Sequence, residues 1–204
     1  DVVTLNVFSW AALQPDESTY DFSKLDKIMK LVKDNGLKVC MATSTAAHPA
    51  WMARKYPDIL RVEHNGMKRK FGARHNSCPN SPNYRKYSAA LVEKIAERYK
   101  DYDNIVAWHI NNEFGGWCYC ENCEKAFRVW LQKKYGPLDE LNRVWNTAFW
   151  SHTMYDWDDV VACNMLSEEF LWDGQIRTNF QGISLDYNRF NSDSMLECFN
   201  IEKD

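Results

Sequence analysis

The chain has 204 residues, with 25 Lys and Arg against 28 Asp and Glu and a net charge of −3. That length suffices for one domain with a sizeable core, and the hydrophobic (45%) and charged (26%) fractions exclude disordered, collagenous and membrane-spanning classes. The charge balance leaves no electrostatic footprint for nucleic acid or an anionic membrane, so neither is expected as a partner. Nine Trp, ten Tyr and ten Phe suit stacking on sugar faces, although filling a large core is the plainer use of aromatics.

"VVTLNVF" (residues 2–8) is β-branched and apolar and reads as a strand entered in mid-element. "FNIEKD" stops on a helical pattern, so residues 1–204 are expected to be part of one larger domain, truncated at both ends. In "YDFSKLDKIMKLVKDNG", Leu25, Ile28, Met29 and Val32 recur as one helix face. Asp21 is placed to cap that helix and Gly36 to close it. "LKVCMAT" is a second strand, continuously apolar as in a parallel sheet covered on both faces. A long excursion rich in Pro, Asn, His and Arg follows, and loops of that length are usually functional.

"NYRKYSAALVEKIAERYKDYDN" is a helix with Tyr87, Leu91, Ile95 and Tyr99 spaced four apart, "IVAWHI" a third strand, and "EKAFRVWLQKKYG" a helix stopped by Gly136-Pro137. From Leu138 the pattern loosens, with no clear helical stripe in "LNRVWNTAFWSHTMYDWDDV". Glu168 and Glu169 in "LSEEFLW" read as surface charges in a helical setting, and "LDYNRFNSDSMLECFNIEKD" as a helix.

Strand and helix alternate as in an α/β protein with a parallel sheet. The residues that look chemical all follow strands: Trp10 after the first, His48 and Trp51 after the second, Asn112 and Glu113 after the third. In a (β/α)8 barrel that edge carries the active site. Three strands cannot close a barrel, so the chain would supply an incomplete part of one. With no G-x-G-x-x-G and no G-x-x-x-x-G-K, no organic cofactor is signalled.

Glycoside hydrolysis needs two carboxyl groups, and the proton donor needs a partly desolvated site to hold its proton near neutral pH. Glu113, directly after an apolar strand and near Trp117 in sequence, suits that role, and the Asn112 amide can bind a sugar 2-hydroxyl. Asn-Glu pairs are common, and most Glu residues are solvated; position after a strand is what raises this one.

Seven cysteines, an odd number, argue against a full disulfide framework and for a reducing compartment. Cys40, Cys163 and Cys198 are isolated and read as small buried hydrophobes. Cys118, Cys120 and Cys123 form C-x-C-x-x-C, three ligands for a structural Zn(II), with Cys78 the best fourth and His75 or His109 weaker alternatives. Such a site would be closed to water, hence structural, fixing the loop after Glu113. Thiols without a metal, or a disulfide between two of them, are the plainer alternative.

"LNVFSWAALQPDESTYDF", "HPAWMARKYPDIL", "ARHNSCPNSPNYR", "AWHINNEFGGWCYCENCEKAF" and "RVWNTAFWSHTM" together resemble glycoside hydrolase family 42, the microbial β-galactosidases, across essentially the whole chain. The resemblance implies a (β/α)8 TIM barrel, of which this chain holds about strands 2–4, and hydrolysis of terminal β-D-galactosides with retention of configuration. It also implies Glu113 as acid/base, and Asn112, Arg74 and Trp150 as substrate-binding residues. Cys78, Cys118, Cys120 and Cys123 become the implied zinc ligands. The nucleophilic Glu follows the seventh strand in such enzymes and is expected beyond residue 204, leaving the isolated chain inactive. A cytoplasmic bacterial location is expected, and family members are often trimers, which implies a homotrimer for the full-length protein. Two other readings stand beside this one: a non-catalytic zinc-clamped module for galactoside binding or assembly, and another retaining glycosidase of related barrel type.

Overall fold

The structure is a computed structural model that describes residues 1–178 and 180–204. In chain order its elements are β1 (Val2–Leu5), α1 (Trp10–Leu13), α2 (Ser23–Asp34), β2 (Lys38–Ala42), α3 (Ala50–Lys55), α4 (Pro82–Tyr99), β3 (Ile105–His109), α5 (Glu121–Tyr135), α6 (Leu138–Trp145), β4 (Glu169–Trp172), β5 (Gln175–Thr178) and α7 (Gln181–Lys203). They fold as two compact units, one of Asp1–Leu60, Lys70–Gly116 and Met195–Asp204, the other of Arg61–Arg69 and Trp117–Ser194. Among the described residues no helix is long and apolar enough to cross a membrane.

In the first unit β1, β2 and β3 lie side by side, all parallel, with Val3 opposite Val39 and Cys40 opposite Ala107. Parallel neighbours cannot be joined by a tight turn, so α2 and α4 serve as the crossovers. On α2 the expected face is the buried one: Leu25, Met29 and Val32 are inside and Ile28 packs against them. Each such burial is worth about 1.5–3 kcal/mol. The cap differs slightly, since Phe22 is the N-cap and Asp21 accepts the Ser23 N–H at 2.8 Å. Gly36 closes the helix at φ 68°. All four spaced residues of α4, Tyr87, Leu91, Ile95 and Tyr99, are buried, and Ser81 accepts the Tyr84 N–H as its cap.

Two expectations need correcting here. Trp10 and Trp51 do not line a site but sit in the core, tied by their indole N–H groups to the side chain and carbonyl of Gln14. Val106 and Trp108 of β3 are exposed, and among the described residues β3 pairs with β2. Cys40 is only partly buried.

The second unit has no parallel strands among its described residues. Its core is aromatic: Phe127 meets Tyr187 edge-on at 4.9 Å, Tyr119 stacks on Tyr187 at 5.2 Å, and Trp145 meets Phe180 edge-on at 5.4 Å. Phe127 lies four residues after Cys123 and four before Leu131, so α5 buries one stripe. The loosened region after Leu138 does hold a helix, α6, burying Leu141 and Trp145 and closing on the left-handed Asn146.

Glu168 and Glu169 also depart from expectation. Glu169 opens β4, which pairs antiparallel with β5 across Asp173-Gly174, both at positive φ. Neither carboxylate is a surface charge: Glu168 takes His152 at 2.9 Å, and Glu169 takes His64 and the Cys163 thiol. Burial pushes the Cys163 thiol up from its ordinary pKa, and that of Cys198 up to about 11, so both act as the inert small groups expected.

Candidate active site

β3 ends at His109, and the chain then turns sharply. Asn111 and Glu113 both adopt left-handed backbone, at φ 57° and 43°. Non-glycine residues hold such angles only when surrounding bonds over-determine them. Here the Asn111 N–H donates to Thr43 Oγ1 at 2.7 Å, and the Asn112 N–H to Asn111 Oδ1 at 2.8 Å. The bend aims Asn112 inward, where it is 8% exposed, and Glu113 outward, with its side chain 67% exposed.

Glu113 is therefore not desolvated as expected for a proton donor. Its Oε2 instead accepts from Arg74 Nη2 at 2.8 Å. Arg74 is carried by the loop after β2, between two left-handed residues, Ala73 and His75, and the His75 N–H donates to the Ala46 carbonyl at 2.9 Å. Three predicted site residues thus meet at one sheet edge: Glu113, Arg74 and Asn112. The Asn112 amide nitrogen is buried with no hydrogen-bond acceptor among the described residues, a donor ready for a ligand oxygen. A recess beside the turn is lined by Ala46, His75, Ser77, Tyr84, Asn111 and Phe114.

His48 is held by Ser77 Oγ at 2.6 Å, and burial pushes its pKa down to about 4, so it stays neutral at pH 7. Trp150 belongs to the second unit. It is 65% exposed, at φ 50°, stacked on Phe149 at 5.1 Å, a flat face open to solvent.

Cys118, Cys120 and Cys123 lead into α5, with Cys120 as its N-cap. Their loop is fixed by neighbours in the same unit: the Tyr119 N–H donates to the Val62 carbonyl at 3.0 Å and the Tyr187 hydroxyl to the Cys118 carbonyl at 2.8 Å. Cys120 and Cys123 sulfurs stand 4.0 Å apart, about twice a disulfide bond and close to the roughly 3.8 Å edge of a tetrahedron with 2.3 Å metal–sulfur bonds. The Cys118 sulfur accepts the Val62 N–H at 3.5 Å, as outer hydrogen bonds do for a thiolate ligand. Cys78, in the first unit, is buried and its sulfur accepts the Asn80 N–H at 3.4 Å. The three thiols of the second unit are by their chemistry compatible with a metal ion.

Sequence reasoning missed two residues that hold the turn. Asn111 stood in the quoted run but drew no role, and Glu202 of α7 gave no signal, since a Glu near the end of a helix reads as a solvated charge. Glu202 is 4% exposed and accepts from Asn111 at 3.0 Å.

Comparison with known proteins adds four findings. The model of the family described as "Beta-galactosidase" within glycoside hydrolase family 42 matches residues 1–204. β-Galactosidase BgaP of Planococcus sp. (strain L4) is 61% identical over 202 residues, covering 99% of this chain and 29% of that protein. β-Galactosidase LacZ of Lactobacillus acidophilus is 52% identical over 200 residues, covering 98% and 30%. The crystal structure of a β-galactosidase from Bacillus circulans sp. alkalophilus superposes with a TM-score of 0.95 at 64% identity, covering all of this chain and 30% of that one. The chain thus spans about three tenths of the length of the relatives it matches.

Proposed function

The chain belongs to glycoside hydrolase family 42 and carries part of its (β/α)8 TIM barrel, and on that premise we propose that the protein bearing it is a retaining β-galactosidase in which Glu113 is the acid/base. The observation that carries the reading is the Asn112–Glu113 pair at the carboxyl end of a parallel strand, with Arg74 bonded to the carboxylate at 2.8 Å. Glu113 would give its proton to the glycosidic oxygen as a second carboxylate attacks the anomeric carbon, then take a proton from the water that releases the sugar. The arginine and glutamate side chains are both exposed, so the pair can part when a sugar hydroxyl takes the guanidinium. The Asn112 amide would meet the 2-hydroxyl, a contact that strengthens in the transition state, and the Trp150 face would stack on the sugar.

The test is hydrolysis of an aryl β-galactoside by the full-length protein and its Glu113→Gln variant. We expect the variant to lose roughly 10²–10⁴-fold in kcat/KM on phenyl β-galactoside, the usual span of general acid catalysis. A fully active variant would remove Glu113 from the role.

We further infer that zinc is held by Cys118, Cys120 and Cys123, with Cys78 completing a set of four thiolates. The support is the donor chemistry and the tetrahedral-edge spacing of Cys120 and Cys123. When bound, the ion would supply structure alone, since four thiolates leave no position for water. Elemental analysis of the purified protein should find one zinc per chain, lost in Cys120→Ser with a fall in thermal stability. Absence of zinc from protein grown with ample metal would leave the thiols as plain buried side chains.

A further inference from the structure

The turn that carries Asn112 and Glu113 stands on a buried carboxylate that the proposed reaction leaves unused. Glu202 Oε2 accepts the hydroxyls of Thr43 at 3.0 Å and Thr45 at 2.5 Å, and Oε1 accepts Asn111 Nδ2 at 3.0 Å. All three donors are neutral, so burial of this charge is offset by hydrogen bonds alone.

Counting hydrogens shows what that carboxylate does. With its own hydrogen committed to Glu202, the Thr43 oxygen can only accept, and it takes the Asn111 backbone N–H at 2.7 Å. The Thr45 oxygen likewise accepts, from Asn111 Nδ2 at 3.0 Å, a donor shared with Tyr84 Oη at 3.1 Å. Tyr84 in turn spends its hydroxyl hydrogen on the Thr45 carbonyl at 3.0 Å. The Asn111 amide is left in one orientation, nitrogen toward Glu202 and Oδ1 toward the Asn112 N–H at 2.8 Å. One carboxylate therefore fixes the donor or acceptor sense of the groups around Asn111.

We propose that Glu202 is a positioning residue: through Thr43, Thr45 and Asn111 it locks the left-handed turn that aims the Glu113 carboxyl. The proposal rests on the reading of Glu113 as acid/base. An error of about 1 Å in the placement of a catalytic group can cost about 10²-fold, which makes a rigid base under an exposed acid worthwhile.

The experiment uses the full-length protein, its Glu202→Leu and Glu202→Gln variants, and aryl β-galactosides from phenyl to 2,4-dinitrophenyl, with kcat/KM reporting the first bond cleavage. A poor leaving group needs the proton, and a dinitrophenolate hardly does. Glu202→Leu should lose about tenfold or more on the phenyl galactoside and less than about threefold on the dinitrophenyl one. Glu202→Gln, which offers oxygen to Asn111 and nitrogen to the threonine oxygens, should stay within about threefold of wild type throughout. A loss in Glu202→Leu that is equal across the series would mark a general structural defect and overturn the proposal, as would no loss at all. If wild type turns over no β-galactoside, the acid/base reading itself has failed. The positioning claim is then judged by crystal structures: Asn111 must leave its left-handed backbone in Glu202→Leu and keep it in Glu202→Gln, and an unmoved Asn111 in both overturns it.

Discussion

Each unit of the chain buries one carboxylate almost completely, and the two are held in opposite ways. Asp186 in the second unit, 2% exposed, meets Lys134 at 2.5 Å, Arg189 at 3.1 Å, Tyr135 at 2.6 Å and Trp145 at 3.1 Å. Among the described residues, Glu202 in the first unit meets two hydroxyls and an amide. Burial pushes both toward the protonated form. For Asp186 the Lys134, Tyr135 and Trp145 bonds outweigh it and the pKa ends below the ordinary value; for Glu202 the Thr45, Asn111 and Thr43 bonds do not, and it ends above. The difference is whether a cation follows the charge inside. Asp186 clasps α5, α6 and α7 by ion pairing and hydrogen bonds, which is a device for stability. Glu202 orients dipoles, which is a device for geometry.

The largest expected effect breaks the cation-bearing site. Asp186→Asn leaves the Lys134 ammonium without its charge partner and should cost about 3 kcal/mol, read as lost hydrogen-exchange protection in α5 and the 181–194 part of α7. A cost under about 1 kcal/mol would make the cations incidental and erase the contrast. Because the folded-state pKa of Asp186 lies below its unfolded value, its contribution is complete above that unfolded value. It drains away as pH falls through the folded one, so the variant's deficit should shrink in acid.

The smaller effect belongs to Glu202→Gln, whose stability should lie within about 1 kcal/mol of wild type. Here the sign reverses. A folded-state pKa raised above the unfolded value gives a contribution present in full below the unfolded one and lost as pH rises through the folded one. Denaturation of wild type and variant across the acid range should therefore show the glutamine gaining ground as pH climbs. A glutamine variant that loses ground over that interval would mean the network needs the charge, and the two carboxylates would then be alike.

Much of the first unit was legible because its chemistry is periodic. Leu25, Met29 and Val32 and the Tyr87-to-Tyr99 stripe announce helices whose buried faces the structure bears out. In the second unit the β4–β5 hairpin had a usable signal, Asp173-Gly174 between "EEFLW" and "QIRT", the dipeptide that suits a turn with positive φ at both positions. Reading Glu168 and Glu169 as a charged helix face hid it. At the candidate site, Glu113 and Asn112 were legible from their place after an apolar strand and Arg74 from motif resemblance, while the Arg74–Glu113 ion pair itself had no local signal. Glu202 lies 91 residues from Asn111, and nothing local in "FNIEKD" distinguishes it from a solvated glutamate.

The left-handed backbone at Asn111 and Glu113 also bears on how this gene ages. Glycine adopts such angles without a steric cost, whereas a side chain there is held against a bias of about 1 kcal/mol or more. If Glu113 has the role proposed for it, the fold and the reaction select in opposite directions at residue 113. In a duplicated copy released from the need to hydrolyse anything, drift toward glycine at that position would meet a downhill path. A glutamate that persists there across lineages would be evidence that the chemistry is still in use.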